Sequence, residues 1–330
     1  MGSIPRVGEG RRAPGAAVAA VTALVSGVSV FVNSYGVRAI PDAATYTTAK
    51  NLVATLLLGL VALAGRRGPR GDDRSGTPQP VEGRSTALAV ADDRPGRRWT
   101  RLLGLAYVGA IGGGVAFVLF FDGLARSSAG PAAFLHDTLV VWVALLCWAL
   151  RRERLSPANL AAVALLVVGQ TLLGGGVGRL VASDGELLVL GATVLWSVEV
   201  VVAKRLLAGT TPERLGLVRM GGGGIVLVAY LALQGHLGTL VALDPAQLGW
   251  VVLTGALLAA YVGTWLTALG RARALDVTSV LVASALVTTV LQTVTGHGLL
   301  GPQVVGVGLV AGGAIAALVA WPRRAPAGLS

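Results

Sequence analysis

Cysteine occurs once in this 330-residue chain, as Cys147 inside an apolar run. That excludes a disulfide framework and a cysteine-based metal site. Histidine is nearly as rare: His136, His236 and His297 lie far apart and lack metal-ligand spacing, so no metal and no cofactor is expected. Charge is scarce too. Only 13% of residues are charged, about half the share of a soluble domain. The net charge of +11 does not point to nucleic acid, because the basic residues fall between apolar runs and form no stripe interleaved with aromatics. The run Gly221–Gly224 lacks the Lys-Ser/Thr ending of a phosphate loop.

Apolar sequence is what the chain has in abundance. It is 54% hydrophobic, with a mean hydropathy of +0.73. A bilayer core of about 30 Å needs about 20 apolar residues per helix. Ten such segments can be drawn: 16–37, 43–64, 102–121, 129–150, 158–174, 186–207, 215–233, 247–269, 277–296 and 303–321. The expectation is an all-α integral membrane protein with ten transmembrane helices. The first segment follows Arg6, Arg11 and Arg12 like the start of a signal peptide, but it runs straight into a second span and reads as an uncleaved helix.

Basic residues set the orientation. If the amino terminus is inside, only Arg38, Arg126 and Arg179 fall in outer segments. The inner ones hold the Arg-rich residues 66–101, the elbow Arg151, Arg152, Glu153, Arg154, and the pairs Lys204/Arg205, Arg271/Arg273 and Arg323/Arg324. This bias predicts a multi-pass cell-membrane protein with both termini cytoplasmic. In the elbow, Ser156 serves as a cap and Pro157 takes a first helical position. Residues 66–100, rich in Gly, Pro, Arg and Asp, read as a flexible cytoplasmic linker.

The chain also repeats itself. Arg126 precedes Pro157 by the interval at which Arg271 precedes Pro302. Two basic residues lie inside apolar spans, Lys50 shortly after Pro41 and Arg219 shortly after Pro212. The halves are 16–174 and 186–321, flanked by tails 1–15 and 322–330. Five spans per half is an odd number, so the second half enters from the opposite side: two inverted five-helix repeats, an arrangement typical of secondary transporters.

These features resemble the EamA-type transporters of the drug/metabolite transporter superfamily, over nearly everything from Ala16 to Trp321. The carriers are the ERLSP elbow at Glu153–Pro157, the small-residue entry SSAGPAAF at Ser127–Phe134, the basic residues Lys50 and Arg219, and Trp196 in LWSVEVVVAKRLL. The chain departs from the family at Ser26, where the first half would place its tryptophan, and at Gly298, which takes the place of the partner of Glu153. The proline often found midway through the fourth and ninth spans is absent. The resemblance implies two inverted repeats around a central cavity, with the fifth and tenth spans outermost, and the movement of small organic solutes, frequently outwards.

Charges inside a bilayer cost about 2.5–3.5 kcal/mol each on insertion scales, so each needs a reason. Lys50, roughly 10 Å below the outer end at 1.5 Å per residue, shares a face with Tyr46. It either receives a substrate carboxylate or an acidic partner, or it snorkels to the headgroups. Arg219 lies near the inner end, where snorkelling is easier. His136 and Asp137 sit near mid-depth. Being adjacent, they point about 100° apart and cannot face one partner together. Either could exchange protons beside a substrate path, or make a structural hydrogen bond. Glu199, three residues after Trp196, is a partner for Lys50 or Arg219, as a static bridge or as one that swaps during transport. Tyr261 and Trp265 are weaker cavity candidates, as are Asn33, Tyr35, Gln170, Thr288 and Gln292. Gly109/Gly113 and Gly308/Gly312 have the small-xxx-small spacing that permits close helix approach.

The function expected is a secondary transporter, an exporter of a small organic metabolite, an amino-acid-like compound or a drug, and not an enzyme. Its partners would be that small-molecule substrate, membrane lipids and protons as a coupling ion, with a homodimer left open. The alternatives are a lipid flippase, a passive channel and a membrane enzyme acting on lipid-linked substrates.

Overall fold

The computed structural model of the chain describes residues 13–40, 42–67, 95–127, 135–150, 157–173, 183–296, 298 and 301–319. The elbow at 151–156, most of SSAGPAAF, His297, residues 1–12 of the first tail, the second tail and most of the linker lie outside the described residues, as do Arg179 and Trp321.

The described residues lie almost entirely in helices. They are α1 (Ala13–Ala39), α2 (Ala43–Arg67), α3 (Pro95–Ala106), a π-helical segment (Tyr107–Val115) that runs on into α4 (Ala116–Arg126), α5 (Leu139–Ala149), α6 (Pro157–Leu173), α7 (Asp184–Leu206), α8 (Pro212–Leu233), the short α9 (Gly238–Val241), α10 (Pro245–Arg271), α11 (Ala274–Leu281), α12 (Ser284–Val294) and α13 (Gly301–Val319). Among the described residues, eight helical stretches are long and apolar enough to cross a membrane. Two shorter apolar helices, Leu135–Ala149 and Leu160–Leu173, stand where the fourth and fifth spans were expected.

Local sequence explains where the helices start. Asp42 accepts from the backbone N–H groups of Ala44 (3.1 Å) and Thr45 (3.2 Å) at the head of α2. Ser183 and Glu186 form a reciprocal capping box on α7, and Asp244 and Gln247 form one on α10. Pro212 and Pro245 occupy first-turn positions, where the missing N–H is no loss. The third span starts earlier than expected: residues 95–100, read as linker from composition, belong to α3.

Large apolar side chains such as Leu56, Leu60, Val61 and Ile225 are exposed. On a water-soluble protein they would form a liability; on a membrane protein they are the lipid-facing surface. Inside, packing depends on close backbone approach, because lipid gives helices little hydrophobic reason to associate. Gly109 and Gly113 lie against Val218, Arg219 and Gly222 of α8, and Gly223 lies against the Gly113 carbonyl. The Gly221–Gly224 run is therefore a packing face in an unbroken helix. Gly308 and Gly312 meet nothing among the described residues; Gly306 and Gly313 make the α13 contact with α6 instead.

The packing is preserved when the halves are exchanged. α1 packs on α10, as α7 packs on α4 and the π segment. α2 packs on α10, as α8 packs on the π segment, and α1 meets α12 as α7 meets α5. The remaining principal pairs, α2 with α8, α5 with α11 and α6 with α13, join equivalent elements. α6 and α13 pair chiefly with each other, at the periphery.

Candidate functional site

Two cations anchor the interior, one in each half. Lys50 and Arg219 each lie about two turns into the second helix of their half, and each is only 5% exposed. Arg219 makes a bidentate pair with Glu199 of α7, Nε donating to Oε1 at 2.5 Å and Nη2 to Oε2 at 3.1 Å. The snorkelling expected of Arg219 is thus not what the fold uses: its guanidinium turns inward onto a carboxylate that is itself 1% exposed. In this structure the Glu199 partner is Arg219, not Lys50. The geometry answers a cost, since removing one partner of a buried pair costs about 3–5 kcal/mol.

Lys50 is also turned inward, with a different partner. Its Nζ donates to Asn33 Oδ1 of α1 at 2.9 Å, and the Tyr46 hydroxyl donates to the same oxygen at 2.6 Å. Asn33 Nδ2 donates to the Ser29 carbonyl at 2.7 Å, which fixes which end of the amide faces the ammonium. Nζ also lies 4.7 Å from the Tyr46 ring centroid and 4.8 Å from that of Phe121. Among the described residues no carboxylate comes within ion-pair distance of it.

Aromatic rings connect the two cations. The Arg219 guanidinium lies 5.5 Å from the rings of both Phe117 and Trp265. Phe117 stacks on Phe121 at 6.2 Å, and Phe121 faces Lys50. Trp265 stacks on Tyr261 at 6.3 Å, with 2° between the ring planes. Trp196 meets Phe117 and Phe120 at 5.3 Å and His136 at 5.2 Å. All nine expected site residues except Asp137 therefore belong to one connected assembly. Tyr35 stacks instead on Trp250, Thr288 bonds the Gly27 carbonyl of α1 at 3.0 Å, and Gln292 is exposed.

His136 and Asp137 diverge as adjacent helical positions must. His136 enters the aromatic cluster, where its Nδ1 has no hydrogen-bond partner among the described residues. Asp137 has no ion-pair partner among the described residues. The helix is interrupted immediately after them, at Thr138, whose hydroxyl donates to the Leu135 carbonyl at 2.6 Å and accepts from Trp142 Nε1 at 3.2 Å. The ninth span is interrupted in the same way at Val282–Ala283, with i→i+3 bonds from Ala283 to Val280 and from Ala285 to Val282. The interval from Arg126 to Thr138 equals that from Arg271 to Ala283, so both breaks fall at one repeat position. They form without proline.

Sequence reasoning missed the π segment. It bonds α7 in both directions: Trp196 Nε1 of α7 donates to Gly112 O of the segment at 2.9 Å, and the segment's Tyr107 hydroxyl donates to Leu195 O of α7 at 3.0 Å. Gly112 itself faces the Glu199 carboxylate, with no room for a Cβ. The glycine-dense string YVGAIGGGV was the available signal. Thr47, Thr48 and Asn51 of α2 are also buried, with side-chain polar atoms that find no partner among the described residues.

A polytopic helical bundle of two equivalent halves around a charged, aromatic centre defines the class: a two-repeat integral membrane protein. The sequence profile of the EamA-like transporter family matches residues 13–175 and again residues 183–319, and the chain belongs to that family. That makes it a membrane transporter of the drug/metabolite transporter superfamily. Among curated proteins nothing matches the sequence. A protein solved by crystallography, whose description names no activity, shares the fold with a TM-score of 0.66 at 18% identity, over 95% of this chain and all of that one.

Proposed function

We propose that the protein is a secondary transporter that moves a small organic solute by alternating access, through rocking of one five-helix repeat against the other. The observation that carries this reading is the pair of buried cations at equivalent depths of the two halves, each bridged to the helix before it. If all ten apolar helices cross the membrane, five per half invert the second repeat, and the two bridges then lie towards opposite faces. A carrier is served by such an arrangement, with a charged anchor towards each side and a shared path between them. The matched helix breaks at Thr138 and Ala283 supply points where each half can bend. Both termini are then cytoplasmic, and export is the direction the family resemblance favours.

Asp137 is the candidate for proton coupling: it is acidic, unpaired among its described neighbours and adjacent to a break. Comparing metabolites released by cells with and without the protein identifies the solute, and proteoliposome flux under an imposed pH gradient then tests coupling. Asp137→Asn should remove the dependence on the gradient. Gradient-dependent flux that survives both Asp137→Asn and Glu199→Gln removes proton coupling from the proposal.

A further inference from the structure

The two halves solve the same electrostatic problem differently. In the second half, the buried cation Arg219 receives a full carboxylate from Glu199, placed about two turns before the end of the preceding helix α7. In the first half, the partner that the preceding helix α1 offers near its end is Asn33, and Lys50 receives only a neutral amide oxygen. The rest of the Lys50 surroundings are the Tyr46 and Phe121 ring faces. An ammonium has three N–H donors, and one of them is used by Asn33. Ring faces attract a cation but carry no countercharge. The segments outside the described residues that follow α4, α6 and α12 (128–134, 174–182 and 299–300) contain no Asp or Glu.

We infer that Lys50 and the rings beside it form a binding site for an organic carboxylate with an aromatic or apolar body, which supplies the countercharge that Asn33 does not. The carboxylate docks on the free donors of Nζ. The apolar body lies along Phe121 and its α4 neighbours, Phe117 stacked on it and Phe120 edge-on to it. Asn33 has a defined role: it holds the ammonium in place while leaving it unneutralised. An Asp there would complete an internal pair like Arg219–Glu199 and close the site to an external anion. This deepens the transporter reading by naming its substrate class, but binding can be measured apart from transport.

The test uses the purified full-length protein in detergent and three probes of one shape: phenylacetate, neutral phenylacetamide and cationic phenethylamine. Phenylacetate at ten times its Kd should raise the melting temperature by about 2 °C, and the other two should not. Lys50→Met should abolish that shift and Lys50→Arg should retain it. Asn33→Asp, which keeps the size of the side chain, should weaken phenylacetate at least about 30-fold while the protein still elutes as a folded species. Equal stabilisation by phenylacetamide, no shift with phenylacetate, or a phenylacetate shift that persists in Asn33→Asp overturns the inference. Lys50-dependent binding of phenylacetate with no phenylacetate flux in proteoliposomes upholds the site and counts against the transporter reading. Flux of a solute that is indifferent to Lys50 does the reverse.

Discussion

Replacing Gly112 with Ala tests whether the π segment exists to make room for the buried ion pair. In an ordinary helix this change gains up to about 1 kcal/mol, because Ala loses less backbone freedom on folding. Here the added Cβ would clash with Glu199 Cδ and lie 2.5 and 2.7 Å from its two oxygens. Relief requires the carboxylate to move by about 1 Å, judged from ordinary carbon–carbon contact distances. Both oxygens are held by Arg219, so that movement opens a buried pair at a cost of about 3–5 kcal/mol. The net expectation is a loss of about 2–4 kcal/mol, read as unfolding of the purified protein in mixed detergent micelles. In a background of Glu199→Ala with Arg219→Met the obstacle is gone, and the same Gly112→Ala change should become neutral or slightly stabilising. The sign reversal gives a coupling energy of at least about 2 kcal/mol across the cycle. An equal penalty in both backgrounds would show that the glycine serves backbone packing alone, and a neutral Gly112→Ala in the native background would refute the argument outright.

Gly223→Ala should be severe in either background, because its Cβ would run into the Gly113 carbonyl oxygen; only backbone separation relieves that, so loss of the folded peak on size exclusion is the expected readout. Trp196→Phe keeps the ring contacts but loses the 2.9 Å bond to Gly112 O, and should cost about 1 kcal/mol in the same unfolding assay. Gly36→Ala puts a Cβ 2.7 Å from the Tyr46 hydroxyl. It should displace that hydroxyl from Asn33 and change phenylacetate affinity more than thermal stability.

Much of this architecture was legible because membrane helices declare themselves by length and by the charges that interrupt them. The equal intervals Arg126–Pro157 and Arg271–Pro302 already marked the repeat, and Lys50, Arg219 and Glu199 were conspicuous as charges in apolar surroundings. Direction was harder to read. Arg219 and Lys50 looked able to snorkel because depth was the only coordinate available; their inward turn depends on Glu199 and Asn33, which come from other helices. The π segment was hidden because glycine-rich apolar sequence fits an ordinary span equally well, and only Trp196 and Glu199 reveal why the turn widens. Gly308 and Gly312 had the right spacing, but Gly306 and Gly313 are the residues that face α6. Small-residue spacing identifies a capacity for close approach, and the choice of face belongs to the partner helix.

The contrast between Asn33 and Glu199 carries a consequence for how the halves can differ in function while sharing a fold. A buried pair that is complete resists separation by about 3–5 kcal/mol, so the α7–α8 bridge holds its half together whether or not solute is present. The α1–α2 bridge lacks that internal countercharge, so its strength depends on what occupies the site. An anion at Lys50 would tighten α1 against α2 and alter the balance between the two repeats only when bound. Binding energy that differs between two arrangements is what a ligand needs in order to shift a population. On this argument, ligand-dependent movement belongs to the first repeat and the second provides the reference. Distance measurements between probes on α1 and α2 should therefore respond to phenylacetate, while equivalent probes on α7 and α8 should not.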